Sequence, residues 1–92
     1  MRTIESTSQY KRDLKRSQGS GKHPALELRQ ILELLATDQP LPQKNKDHAL
    51  TQNWKDYREC HVKPDFLLVY KLPDSGTLRL IRLGSHSEIF GL

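Results

Sequence analysis

The chain has 92 residues, near the lower limit at which one domain buries its own core, and residues 1–92 read as a single domain. With 35% hydrophobic and 28% charged residues, it suits a compact body with a strongly solvated surface, and no apolar run approaches the length of a membrane-crossing helix. Lys and Arg outnumber Asp and Glu by 15 to 11, a balance that favours a polyanionic partner such as nucleic acid or an acidic protein but does not specify a fold.

From the N-terminus, Met1 to Glu5 lacks the apolar core of a signal peptide, and Arg2 to Glu5 fits a short edge strand. Ser6, Thr7 and Ser8 offer N-caps for a helix over 9–18, with Tyr10 and Leu14 on one face and Lys11, Arg12, Lys15 and Arg16 around it. Gly19-Ser20-Gly21 ends that helix. Pro24 opens a second helix, whose Leu28, Ile31, Leu32 and Leu35 follow the i, i+3, i+4, i+7 pattern and which stops near Asp38, before Pro40 and Pro42. The residues from 43 to 53 form a polar loop. Strand patterns follow at 54–61, at 66–72 (FLLVYKL) and at 77–83 (TLRLIRL), with Pro73-Asp74-Ser75-Gly76 as a hairpin turn. Residues 84–92 read as a short tail carrying Ile89 and Phe90. The FLLVYKL strand is apolar on both faces, so the helical hairpin covers one, and loops, tail or a partner must cover the other. The architecture is α+β: two N-terminal helices packed on a small, mainly antiparallel sheet, in the order β-α-α-β-β-β.

The lone Cys60 cannot form an internal disulfide and fits a reducing cytoplasm, with a small buried apolar role. Antiparallel neighbours bring the end of one strand beside the start of the next, which gathers His61, Asp65, Arg82 and His86 at one sheet edge. A four-residue turn pairing Leu72 with Thr77 sets Leu67 opposite Arg82 and Asp65 opposite Gly84, so that Asp65 and Arg82 share a face. A three-residue loop, Val62-Lys63-Pro64, adds His61 to that face, whereas a two-residue loop sends it to the other. His48 lies on a loop long enough to reach the same edge. His23, at the helix–helix turn, is expected far from it as a surface or capping residue.

Such a cluster can cut RNA without a metal. The strand's own 2′-hydroxyl attacks the adjacent phosphate, which needs a base, an acid for the leaving 5′-oxygen, and cations for the added charge. Histidine suits both proton transfers, with an ordinary pKa of about 6.5. The donor fork of Arg82 suits the non-bridging oxygens. Each residue also has a plainer reading: a solvated histidine, Asp65 as a turn former after Pro64, a solvent-facing Arg82, and Phe90 packed on the core. Three histidines and an aspartate could bind zinc, but their spacings match no compact ligand motif, and neither CxxC nor HExxH occurs. No metal and no cofactor is expected.

The segments KDHAL (46–50), WKDYRECHVKPDFLLVYK (54–71) and LRLIRLGSHSEIFG (78–91) resemble the YafQ branch of RelE-type toxins, and the likeness extends over nearly the whole chain. Its most specific part joins an HxxPD turn (His61 to Asp65) to a C-terminal RxGxHxxxF (Arg82 to Phe90). The resemblance implies a small sheet with two N-terminal helices, acting in the bacterial cytoplasm as a ribosome-dependent, metal-independent mRNA endonuclease that cuts in the A site of the 70S ribosome. It implies that His48, His61, Asp65 and His86 form the acid–base set, with His86 as general acid and either Asp65 or His61 as base. Arg82 would hold phosphate charge, and Phe90 would position a base or the tail. It further implies a DinJ/RelB-like antitoxin that blocks the site and represses the shared operon, so that operator DNA is met only through the antitoxin. One departure is Phe66, where close relatives carry Trp; it keeps a stacking surface for substrate but loses the indole donor. Lys11, Arg12, Lys15 and Arg16 could grip ribosomal RNA or simply be solvated.

Two other readings compete. A ParE-like toxin would target DNA gyrase without catalysis, but such toxins generally lack this histidine set. A ribosome-binding module would block translation without making new RNA ends.

Overall fold

In the computed structural model, which describes residues 1–91, the elements run β1 (Thr3–Ser6), α1 (Ser8–Gly19), α2 (Ala25–Ala36), β2 (His48–Ala49), β3 (Arg58–Lys63), β4 (Phe66–Asp74), β5 (Thr77–Gly84) and α3 (His86–Phe90). The sheet order is β1-β5-β4-β3-β2; β1 runs parallel to β5 and every other neighbour is antiparallel. The α+β class and the helical hairpin are as expected. Besides 3₁₀ turns at Gln43–Asn45 and Gln52–Trp54, two elements are additional: the two-residue β2 inside the polar loop, and α3 in place of a tail. Leu92, the end of that expected tail, lies outside the described residues. Among the described residues no helix is long and apolar enough to cross a membrane.

Local chemistry explains the boundaries. Thr7 caps α1 by accepting the Tyr10 N–H at 3.0 Å, and its hydroxyl donates to the Ile81 carbonyl at 2.8 Å, so the cap also fastens the helix to β5. The third strand begins at Arg58 and not at Trp54. Residues Gln52–Trp54 form a 3₁₀ turn, and Gln52 and Asp56 take positive φ (56° and 76°), which breaks the extended backbone there. Helix α3 has only five residues and depends on its capping box. Ser85 Oγ accepts the Glu88 N–H at 3.2 Å, while Glu88 Oε1 accepts the Ser85 N–H at 2.8 Å.

The two faces of β4 are covered differently. On one, Tyr10, Leu28, Ile31 and Leu35 from the helices pack on Cys60, Val62, Leu68, Tyr70, Leu78, Leu80 and Leu83. On the other, Leu67 and Val69 lie beneath Ile89, with Leu50, Trp54, Tyr57, Ile81 and Phe90 partly buried around them. Loop and α3 therefore supply the second cover, each fully buried aliphatic side chain contributing roughly 1.5–3 kcal/mol. Cys60 is fully buried, and desolvation pushes its thiol up to about 12. A disulfide reagent at mildly alkaline pH is expected to leave it untouched until denaturant is added; immediate stoichiometric labelling would show that the helix-covered face opens readily.

Registers differ from the simple expectation because both hairpins are irregular. Asp74, not Leu72, sits opposite Thr77 across a Ser75-Gly76 turn, where Asp74 Oδ1 accepts the Gly76 N–H at 2.8 Å. Register shifts at Lys71/Asp74 and Val69/Tyr70 then leave Leu67 opposite Gly84 and Val69 opposite Arg82. The β3–β4 turn is Pro64-Asp65, with Lys63 opposite Phe66. A shift at Val62 resets the slip, so His61 lies opposite Leu67.

Candidate active site

The alternation of β3 places Glu59 and His61 on the face opposite the helices, with Glu59 opposite Val69 on one side and His48 of β2 on the other. Glu59 is buried, at 4% exposure, and its carboxylate is the point on which three imidazoles converge. His48 Nε2 lies 3.6 Å from Oε2; His61 Nε2 and His86 Nε2 lie 3.6 and 3.8 Å from Oε1. His86 arrives from the first position of α3 and packs edge to face on His61, with ring centroids 5.8 Å apart.

The other ring nitrogens are all committed. His48 Nδ1 lies 2.6 Å from the Lys46 carbonyl, and His61 Nδ1 lies 3.1 Å from the Pro64 carbonyl. A carbonyl only accepts, so each Nδ1 carries a proton and each Nε2 is free to take or give one. Asp65 does the same for His86. Its Oδ1 accepts the His86 backbone N–H at 3.1 Å and the Nδ1–H at 2.8 Å. The His86 backbone bond, then the ring bond, holds the Asp65 carboxyl below the usual carboxylate range, so it stays an acceptor.

Two polar frames hold these pieces. Asp47 accepts the Tyr70 hydroxyl at 2.5 Å and pairs with Arg58 Nη2 at 3.3 Å, while Asn45 Nδ2 donates to the His61 carbonyl at 2.7 Å; together they pin the loop that carries His48. Burial and then the bond to Asp47 raise the Tyr70 hydroxyl, which keeps it a donor. At the other end, the fully buried Asp13 binds Arg82 Nε at 2.8 Å and the Leu83 N–H at 3.0 Å. Arg16 bridges Asp13 (3.3 Å) and Glu88 (3.2 Å), over Gly84. A Cβ on Gly84, whose φ is +154°, would meet Glu88 Oε1 at 2.8 Å and Arg16 Nη2 at 3.1 Å, so only glycine lets that bridge close over the turn into α3.

Of the residues expected at this edge, His48, His61, Asp65 and His86 come together. Arg82 does not share their register. It donates to Asp13 and, through Nη2, to the Glu88 carbonyl at 3.3 Å, because β5 reaches the edge with a shifted register. Phe90 lies on the histidine face, 6.4 Å from the His86 ring and 5.3 Å from Trp54. Phe66 lies on the helix side, packed edge to face on His23 at 6.2 Å. His23 is therefore not remote from this edge: the hairpin turn folds back over the start of β4, and Ser17 Oγ bonds its Nδ1 at 2.6 Å. Lys11, Arg12 and Lys15 are exposed on α1, whereas Arg16 is tied into the α1–α3 bridge.

Sequence reasoning missed Glu59, Asp13, Asp47 and Trp54. Glu59 sits two positions before His61, and that i, i+2 spacing on a strand was the available signal. Ligand atoms of Glu59, His61 and His86 lie within 4.8 Å of one another, which fits a borderline metal such as zinc or copper. No compact ligand spacing marks this group, because Glu59 and His61 meet His86 only where the folded sheet brings them together.

The family model described as "Bacterial toxin of type II toxin-antitoxin system, YafQ" matches residues 2–91. The mRNA interferase toxin YafQ of Escherichia coli K12 is 43% identical over 91 residues, 98% of this chain and 97% of that one. The E. coli DinJ–YafQ complex contains a chain with a TM-score of 0.88 and 40% identity, covering 99% of this chain and 100% of its own. A metal-bound toxin from Helicobacter pylori has a TM-score of 0.89 and 48% identity, covering 98% and 100%. With the family model spanning almost the whole length and this fold beneath it, the chain belongs to the YafQ family of toxins of bacterial type II toxin–antitoxin systems.

Proposed function

We propose that this toxin is a ribosome-dependent mRNA endonuclease of the bacterial cytoplasm, cutting in the A site of the 70S ribosome by 2′-hydroxyl attack with histidine acid–base catalysis. The observation that carries the reading is the convergence of three Nε2 atoms whose Nδ1 partners are all fixed. In this reading the neutral His61 Nε2 takes the 2′-hydroxyl proton as the 2′-oxygen bonds to phosphorus. Protonated His86 then gives its Nε2 proton to the departing 5′-oxygen. Asp65 is committed to orienting the His86 ring through its backbone N–H and Nδ1–H, so His61 is the better base of the two candidates. Glu59 is buried among the rings, within 3.6–3.8 Å of all three Nε2 atoms, and His48 completes that set. Arg82 offers only part of its fork, since Nε and Nη2 already face Asp13 and Glu88, and its contribution to the phosphate comes mainly through its positive field.

The partners in this reading are a DinJ/RelB-like antitoxin, the ribosome and its message; DinJ is bound by the E. coli relative. Operator DNA would be reached only through the antitoxin. A metal ion held by Glu59, His61 and His86 would take up the lone pairs that move protons, so it would inhibit. The test is to map RNA ends on programmed ribosomes, with a chelator selective for zinc and copper that spares ribosomal magnesium. Codon-phased cuts with 2′,3′-cyclic phosphate and 5′-hydroxyl ends are expected to persist under chelation and to fade when zinc is added. Stalled ribosomes carrying intact messages would sink the nuclease reading in favour of a blocker; activation by zinc would sink the metal-independent mechanism.

A further inference from the structure

Beside His61 the surface opens into a groove of about 350 Å³ walled by Lys44, Lys46, Lys63 and Pro64, and a hollow of about 100 Å³ adjoins it between α2 and Pro42. All three lysines are exposed. The carboxylate on the wall, Glu27, is engaged by Lys63 at 2.6 Å, which leaves Lys44 and Lys46 with no carboxylate partner among the described residues. The backbone that carries them is held in place. Lys46 takes the left-handed conformation (φ 48°) and its N–H donates to the Gln43 carbonyl at 3.0 Å, closing a 3₁₀ turn over Gln43–Asn45. Between the two lysines, the buried Asn45 side chain donates to the backbone carbonyl of His61 itself. Groove wall and candidate base are thereby one unit.

The far side of the histidines has the opposite character. Rings follow one another from His48 to His61 (6.5 Å), His86 (5.8 Å), Phe90 (6.4 Å), Trp54 (5.3 Å) and Tyr57 (5.6 Å). A strand whose scissile phosphate lies between His61 and His86 must continue past both. One way it meets aromatic rings, which suit bases; the other way it meets paired ammonium groups, which suit phosphate. We propose that the groove seats the phosphodiester of the message next to the scissile one on the His61 side, with Lys44 and Lys46 as its cations. The proposal rests on the nuclease reading above.

The test is single-turnover cleavage on programmed ribosomes by wild type, the Lys44→Gln/Lys46→Gln double variant and an Arg29→Gln control, which removes a charge from α2 outside the groove. The double variant is expected to raise the half-saturating toxin concentration on the order of tenfold and to shallow its salt dependence by about 1 per lysine, with the maximal rate unchanged. The control should match wild type. A message with a neutral methylphosphonate in place of the neighbouring linkage should weaken wild type by a similar factor and the double variant no further. If that linkage penalises both proteins equally, the lysines grip ribosomal RNA or an acidic peptide instead, and the proposal falls. A lost maximal rate at unchanged half-saturation would equally overturn it. If wild type makes no cuts at all, the nuclease reading itself has failed, a result distinct from either.

Discussion

Replacing His86 with alanine is expected to lower the maximal cleavage rate by about 10²–10⁴-fold without unfolding the protein. The ring is half exposed, with 47% of its side chain accessible, so little packing is lost. The backbone N–H of His86 still reaches Asp65, and the Ser85–Glu88 capping box still holds α3. What disappears is the Nε2 proton donor. The check is single-turnover kinetics on programmed ribosomes beside a thermal unfolding curve. A rate within threefold of wild type at full saturation would remove His86 from the chemistry. Asp65→Asn keeps an acceptor for the Nδ1–H and removes only the carboxylate's charge, so its loss should be smaller than that of His86→Ala. Since the folded Asp65 carboxyl is held below its ordinary value, its contribution is present above about pH 4 and is lost as pH falls through the folded value.

The largest stability effect belongs to a residue with no part in the chemistry. Asp13→Ala should destabilise the fold by about 3–5 kcal/mol, the usual cost of breaking a buried ion pair from one side. The carboxylate is fully buried, and its removal strands Arg82 and the Leu83 N–H, takes a partner from Gln9 and loosens Arg16. Burial by itself would push the Asp13 carboxyl up; the bonds from Arg82, Leu83 and Gln9 outweigh it and hold it below its ordinary value. A lowered folded value means that this stability is present above the unfolded pKa of about 3.9 and vanishes as pH falls through the folded one. Urea unfolding of wild type and variant should therefore show a gap at neutral pH that closes under acid. A gap below about 1 kcal/mol at pH 7 would mean that the pair is screened like a surface bridge. Replacing Asp13 and Arg82 together by apolar residues of similar volume should recover much of the loss, since no buried charge is then left alone.

Helix α2 and strands β4 and β5 were legible from local pattern, because burial on one stripe or on both faces forces apolar residues to recur at the period of the element. The meeting of His61, Asp65 and His86 at one edge also followed from the order of antiparallel strands alone. What pattern could not supply was register. A bulge at Val62 and irregularities in the β4–β5 hairpin carry no consensus residue, yet they decide that His61 stands opposite Leu67 and that Arg82 turns to Asp13.

Covering segments behaved likewise. Trp54, Tyr57 and Phe90 have no periodicity to betray them, and they pack where they do because β4 left a second apolar face bare. Composition and spacing determined the class of the fold, the helical hairpin and the gathering of His61, Asp65 and His86 at one edge. Only the tertiary structure decided that their Nε2 atoms face a buried Glu59, because that geometry depends on which carbonyls and carboxylates happen to lie beside each Nδ1. Such contacts join residues far apart in the chain, and a one-dimensional pattern records neighbours along the backbone, not across the sheet.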